Sequence, residues 1–186
     1  PEKVLKNFDD SKRRQIKKAA KTLTTKVGLD SETFYKYHFN SLKKQGRVIS
    51  YTYEMFKKIY DNAKSNDTGE IFYCESDKGE IHCTVFMVWD TETAYFTITA
   101  FDPDFRNSGA SSLVVYDIIK YLSDRVKSFD FEGSMGEGIS DSYRRYGTVQ
   151  KPYFQITKDN RSLLKKHIQK ISSFIIAKLT MFFRRH

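Results

Sequence analysis

The 186-residue chain has 39% hydrophobic and 15% aromatic residues, enough for one substantial core, and its 30% charged content is ordinary for a water-exposed domain. No run approaches the ~20 consecutive apolar residues of a bilayer-spanning helix, and the polar, charged first residues contain no apolar stretch of a secretory leader, which excludes both classes as first readings. The net charge of +9 sits at the ends, because residues 1–26 hold nine Lys or Arg against three Asp or Glu and residues 158–186 hold eight against one, leaving a mildly acidic middle.

In chain order, Ser11 opens the helix-forming run Lys12-Arg13-Arg14-Gln15-Ile16-Lys17-Lys18-Ala19-Ala20-Lys21, whose thin apolar stripe predicts a surface helix. A second helix is predicted over 30–44 with Phe34, Tyr37, His38 and Leu42 on one face and Gly46 beyond its end, and a third over 53–65 with Phe56, Ile59, Tyr60 and Ala63. From Glu70 the apolar period changes to two. Three strands are predicted over 71–75, 81–89 and 94–100, and their short connections, Ser76-Asp77-Lys78-Gly79 and Asp90-Thr91-Glu92-Thr93, imply an antiparallel meander. Cys74 and Cys83 fall in neighbouring strands without metal-ligand spacing, so buried free thiols are expected. A helix over 109–126, a strand over 128–132, a helix over 139–146 and a strand over 149–157 follow. A final helix over 161–185 repeats Leu164, Ile168, Ile171, Ile175, Leu179 and Phe182, an apolar stripe suited to packing on protein or lying in a membrane interface.

The basic flanks favour polyanions, whether RNA, anionic lipid headgroups or a nucleotide donor, although solvated helix faces explain the same residues. Free thiols and the absence of an export signal point to a cytoplasmic or membrane-peripheral protein; a chain beginning at Pro1 reads as processed or shortened. The four histidines form no metal-binding spacing with the cysteines, so no metal is expected. No covalent nucleophile stands out either, as both a Gly-x-Ser-x-Gly elbow and a Walker loop are missing.

Two segments carry candidate chemistry. Arg106-Asn107-Ser108-Gly109-Ala110-Ser111 precedes a helix, whose first N–H groups and positive dipole end can hold a pyrophosphate; Gly109 allows close backbone approach, Ser108, Ser111 and Ser112 offer hydroxyls, and Arg106 a charge. Ordinary turn and cap chemistry would use the same residues. In Phe129-Asp130-Phe131-Glu132-Gly133-Ser134, strand alternation puts Asp130 and Glu132 on one face, about 7 Å apart. There they can serve as base and orienting partner, or cap loops, or pair with Arg144 and Arg145.

Arg106-x-x-Gly109-x-Ser111 at a strand-to-helix junction resembles the acyl-CoA loop of the GNAT family, Arg/Gln-x-x-Gly-x-Gly/Ala, with Ser as the last small residue. Phe129 to Ser134, the helix ending at Tyr146-Gly147, and Lys151-Pro152-Tyr153 resemble the C-terminal half of GNAT-like Fem-type transferases, often associated with cell-envelope or polysaccharide synthesis. Ser11 to Ala19 is similar to the basic segment that links the two halves of such proteins, and the resemblance spans residues 8–157. It implies an α/β fold with a mixed, mostly antiparallel sheet flanked by helices. It also implies a basic linker over 1–26, a GNAT-like domain over 27–157 and an amphipathic helix over 158–186. The implied activity is N-acyl transfer from acyl-CoA, with aminoacyl-tRNA as alternative donor, to the amine of an amino sugar or peptide. Tyr143, in Tyr-x-x-x-Gly, would protonate the leaving thiolate, Glu132 or Asp130 would take the amine's proton, residues Arg106 to Ser111 would hold the donor, and Lys151 and Tyr153 would line the acceptor side; Tyr146 would be core. A missing N-terminal half or a second copy would complete the protein, and the alternative is a noncatalytic half-domain that binds a partner chain or RNA.

Overall fold

The computed structural model describes residues 2–133 and 136–152 and the single positions 154, 156 and 158. The chain divides into two compact units, 1–150 and 151–186. Among the described residues all regular structure lies in the first, while Lys151, Pro152, Phe154, Ile156 and Lys158 of the second are exposed and irregular.

The first unit opens with α1 (Glu2–Asn7), α2 (Asp10–Ala19) and β1 (Leu23–Val27). Then come α3 (Ser31–Lys44), α4 (Tyr53–Ser65), β2 (Gly69–Ser76), β3 (Ile81–Trp89) and β4 (Thr93–Phe101). It closes with α5 (Ala110–Leu122), β5 (Ser128–Asp130) and α6 (Glu137–Arg144). Helix starts follow local capping chemistry: Asp9, Asp30 and Thr52 side chains accept from the backbone N–H three residues on, at 2.9, 2.9 and 3.3 Å. The strands form one sheet in the order β1-β2-β3-β4-β5, antiparallel except for the last pair, where α5 carries the chain across so that β5 runs parallel to β4. This is the mixed, mostly antiparallel sheet expected.

Alternation along β2 and β3 divides the core. Phe72, Cys74, Cys83, Val85 and Met87 face α2 and α5 in the larger cluster, whereas Ile71 and Phe86 face α3 and α4 and meet Phe34, Phe56 and Ala63. Phe34 and Phe56 stack at 4.9 Å and close on Phe86. Cys74 and Cys83 are directly opposed on neighbouring strands, buried and free.

Residues 2–27 differ most from expectation. Helix α2 lies at the surface as expected, but its narrow stripe is a packing face: Lys12, Ile16 and Ala19 are buried against α5, and Phe8 packs edge-on to Tyr116 and Tyr146. Sequence patterning underrates this stripe because one of its members is a lysine, whose long methylene stem packs like an apolar residue. Leu23–Val27 was expected as linker but pairs with β2 through its whole length, so the expected boundary after residue 26 falls inside β1. Its polar Thr24, Thr25 and Lys26 suit an edge strand.

Of the predicted strand over 149–157, Val149 to Pro152 are irregular; Val149 is exposed and Pro152 has no N–H for a ladder, while Tyr153, Gln155 and Thr157 lie outside the described residues. The predicted helix over 161–185 also lies outside them. Among the described residues no helix is long and apolar enough to cross a membrane.

Candidate active site

The sheet opens between β4 and β5. Their parallel pairing lasts three residues, Thr93↔Ser128 to Tyr95↔Asp130, while β4 continues to Phe101, so its second half has no strand on that edge among the described residues. At the start of this opening β4 carries a bulge. Met87 pairs with Phe96 but Phe86 pairs with Ile98, leaving Thr97 as an extra residue whose hydroxyl donates to the Phe86 carbonyl at 2.7 Å. The side-chain pattern slips with it, since Phe96 belongs to the α5-side cluster and Ile98, two residues on, packs against the α3-side cluster. A bulge withdraws a backbone N–H from the ladder and re-aims it. Here that happens where the two strands part.

The turn Arg106 to Ser111 joins the far end of β4 to α5. It is anchored ahead of Arg106 by a 3-10 turn, Pro103–Phe105, in which Phe105 stacks face to face on His82 of β3 at 3.8 Å and Asp102 and Asp104 share the Lys44 ammonium of α3. Arg106 and Asn107 are exposed, Ser108, Gly109 and Ser111 half-buried and Ala110 buried. Ser108 Oγ accepts from the Ala110 N–H at 3.2 Å, which gives that hydroxyl a capping job. Ser112 is corrected outright: it is fully buried and its hydroxyl donates to Gln15 Oε1 at 2.7 Å, facing α2 rather than any ligand. Gly109 has φ 82°, and a Cβ there would stand 2.9 Å from the Gln15 carbonyl oxygen. The close approach that requires glycine is therefore to helix α2.

Asp130 and Glu132 do not form the strand pair that alternation suggests. The strand stops at Asp130, whose Oδ1 accepts the Glu132 N–H at 2.7 Å, and Glu132 and Gly133 both turn left-handed at φ 64° and 78°. This side-chain-to-backbone bond offers the chain a turn in place of the next ladder position. A left-handed glutamate costs on the order of 1 kcal/mol, so the turn is held against a preference. Both carboxylates are exposed, and among the described residues neither pairs with an arginine: Arg144 pairs with Asp141, and Arg145 lies 4.0 Å from Asp9.

Tyr143 is half-buried on α6, its ring 4.6 Å from Phe131 and 6.4 Å from Phe96, and burial pushes its phenol above the ordinary tyrosine range. Phe131 lies between Asp130 and Glu132 in the chain, and Phe96 immediately precedes the bulge. These aromatic contacts bring Tyr143, the carboxylate turn and the bulge to one end of the opening. Tyr146 is core as expected, stacked on Phe131 at 5.2 Å. Lys151 is exposed in the second unit, and Tyr153 lies outside the described residues. No group of three His, Cys, Asp or Glu suited to a metal occurs among the described residues.

Thr97 went unread because Ala94, Phe96, Ile98 and Ala100 alternate without a break in sequence. Lys12 and Gln15 left a faint signal. Lys12 stands four residues before Ile16 and seven before Ala19, in phase with the buried stripe.

Sheet order, the parallel last strand and the opening beside it make this a mixed α/β fold with a sheet that parts at one edge. A family model described as an acetyltransferase (GNAT) domain matches residues 10–145, and the chain belongs to that family. Among solved structures it is similar to FemX, with TM-score 0.69 and 13% identity over 80% of this chain and 56% of that one. It is also similar to glucosamine-6-phosphate N-acetyltransferase from Arabidopsis thaliana, at TM-score 0.54 and 18% identity over 75% and 99% of the two chains. A predicted acetyltransferase with acetyl-CoA from Clostridium acetobutylicum gives TM-score 0.56 and 13% identity over 73% and 96%. The chain thus spans little more than half of FemX and nearly the whole of the single-domain structures. A comparison with curated proteins returns no match.

Proposed function

We propose that this domain transfers an acyl group from acyl-CoA to the amine of an amino sugar or peptide, in the Fem-like branch that serves cell-envelope or polysaccharide synthesis. The observation that carries the reading is the bulge at Thr97, next in the chain to Phe96, whose ring meets that of Tyr143, at the head of a strand edge that leads to the α5 turn. The amine nitrogen forms a bond to the thioester carbonyl carbon while backbone N–H groups of β4 at the opening receive the developing oxyanion. Collapse breaks the C–S bond, Tyr143 gives its proton to the thiolate, and Asp130 or Glu132 takes the amine's proton through water. An amide and a free thiol result, and the proton held by the carboxylate restores the phenol. Family membership and an acetyl-CoA-bound neighbour of the same fold support the donor, and an amino-sugar acetyltransferase among the neighbours supports the acceptor class.

Acetyl-CoA and, separately, aminoacyl-tRNA are titrated against the wild type and Arg106→Glu. Arg106 is exposed, so the exchange spares the fold, whereas any side chain at Gly109 would unseat α2. Acetyl-CoA should bind, and Arg106→Glu should weaken it about tenfold or more, the scale of one charge-assisted contact. Binding of aminoacyl-tRNA alone would reassign the donor. Binding of neither would favour a second reading, either an incomplete half that awaits another domain, for which the 56% coverage of FemX speaks, or a noncatalytic module that binds a partner chain or RNA.

A further inference from the structure

Lys12 is the buried charge that the proposed chemistry leaves unused. Only 6% exposed, its ammonium donates to Ser142 Oγ at 3.0 Å and to Tyr146 Oη at 3.2 Å and lies 4.3 Å from the centre of the Tyr146 ring. Tyr146 Oη in turn donates to Ser112 Oγ at 3.5 Å, and Ser112 Oγ donates to Gln15 Oε1. Lys12 and Gln15 belong to one turn of α2, so the bonds close a ring through three helices: α2, the C-terminal end of α6, and the first turn of α5. The ring holds no carboxylate. Asp9, whose charge acts on the ammonium, spends its Oδ1 on the Lys12 backbone N–H and the Ser11 hydroxyl, and burial draws the Lys12 ammonium below the usual lysine range.

A buried cation whose contacts are hydroxyls and a ring face, with the Asp9 charge acting on it only from a distance, is a poor device for stability, because leaving water costs an ammonium several kcal/mol. What the arrangement supplies is direction. Ser142 immediately precedes Tyr143, and Tyr146 is stacked on Phe131, the residue against which Tyr143 also rests. We infer that Lys12 is a positioning residue: by binding Ser142 and Tyr146 on either side of Tyr143 it fixes α6 so that the phenol meets the opening, in register with the α5 turn to which Tyr146 is tied. The inference rests on the acyltransferase reading for its effect on turnover. Its claim about α6 stands independently.

The test is Lys12→Met, which keeps the packed stem and removes the charge. In turnover with acetyl-CoA and an accepted amine, kcat should fall about tenfold, the scale of a small misplacement of a reacting group, with the Kd for acetyl-CoA within about twofold. The melting temperature should hold or rise, and amide exchange should quicken across residues 137–147 but not in β2 to β4. Tyr146→Phe should add little to kcat loss in the Lys12→Met background, as expected of one shared network. Unchanged kcat and unchanged exchange in α6 would overturn the inference, as would a fall in melting temperature with exchange quickened throughout the sheet, which marks a merely structural lysine. If the wild type turns over no acyl-CoA, the acyltransferase reading fails by itself, and exchange confined to α6 still decides for or against the network.

Discussion

Tyr143→Phe should lower kcat by about a hundredfold while leaving acetyl-CoA affinity unchanged. The substitution removes one hydroxyl and keeps the ring that packs 4.6 Å from Phe131, so the fold and the turn proposed to hold the donor, which leads into a different helix, should be indifferent to it. General acid catalysis by a positioned side chain contributes about 10²- to 10⁴-fold, and the lower end applies where water reaches the leaving thiolate. The half-buried phenol provides a second signature. Burial disfavours the phenolate and raises the pKa, and the protonated phenol is the working form. The wild type should therefore hold its rate through the neutral range and lose it only above the ordinary tyrosine pKa of about 10, and the Tyr143→Phe profile should lack that alkaline fall. A variant with wild-type kcat would remove Tyr143 from the chemistry.

Gly147→Ala should cost about 2–4 kcal/mol of stability, from about 1–2 for a left-handed alanine and the rest from overpacking. Gly147 has φ 72°, and a Cβ would stand 2.5 Å from the Asn7 carbonyl oxygen, a backbone atom that cannot swing aside. Next to this contact the Asp9 N–H donates to the Arg145 carbonyl at 2.8 Å and Phe8 is buried against Tyr146, so relief by displacing α1 would break both. Gly28 is the matched control: it has φ 89° with nothing within 4 Å of a Cβ, and alanine there should pay only the conformational part. At about 2–4 °C per kcal/mol for a domain of this size, thermal unfolding resolves the two. Equal shifts at both positions would show that the seat of the N-terminal segment on α6 is not under load.

Much of the fold was legible because its elements follow local rules. The meander was readable from period-two runs separated by turn residues, and α3 and α4 from apolar faces opened by Asp30 and Thr52. The turn at Arg106 to Ser111 and Tyr143 are singled out by spacing, and the roles proposed for them rest on the resemblance that this spacing carries. The rest depends on partners distant in sequence. Nothing in Leu23-Thr24-Thr25-Lys26-Val27 separates an edge strand from a linker until β2 lies beside it, and the phase that Lys12 shares with Ile16 and Ala19 reads as burial only once Ser142 and Tyr146 stand over its ammonium. The bulge at Thr97 shows only in the pairing with β3 and in the change of cluster between Phe96 and Ile98, not in any break of its own pattern. Asp130 misled for a related reason: strand alternation was extended two residues past the point where its carboxylate takes the backbone into a turn.

Glycines 109 and 147 each press against backbone of residues in the first sixteen, at Gln15 and Asn7. Substitutions at these four places are consequently not independent events in the descent of the protein. A change that shifts α1 or α2 by an ångström relaxes the demand for glycine about a hundred residues or more downstream, and a side chain gained at 109 or 147 can persist only with a compensating shift near the N-terminus. Among relatives the opening segment and the two glycines should be inherited as a set, and a chimaera that exchanges residues 2–20 alone should fold less well than one that exchanges positions 109 and 147 with them.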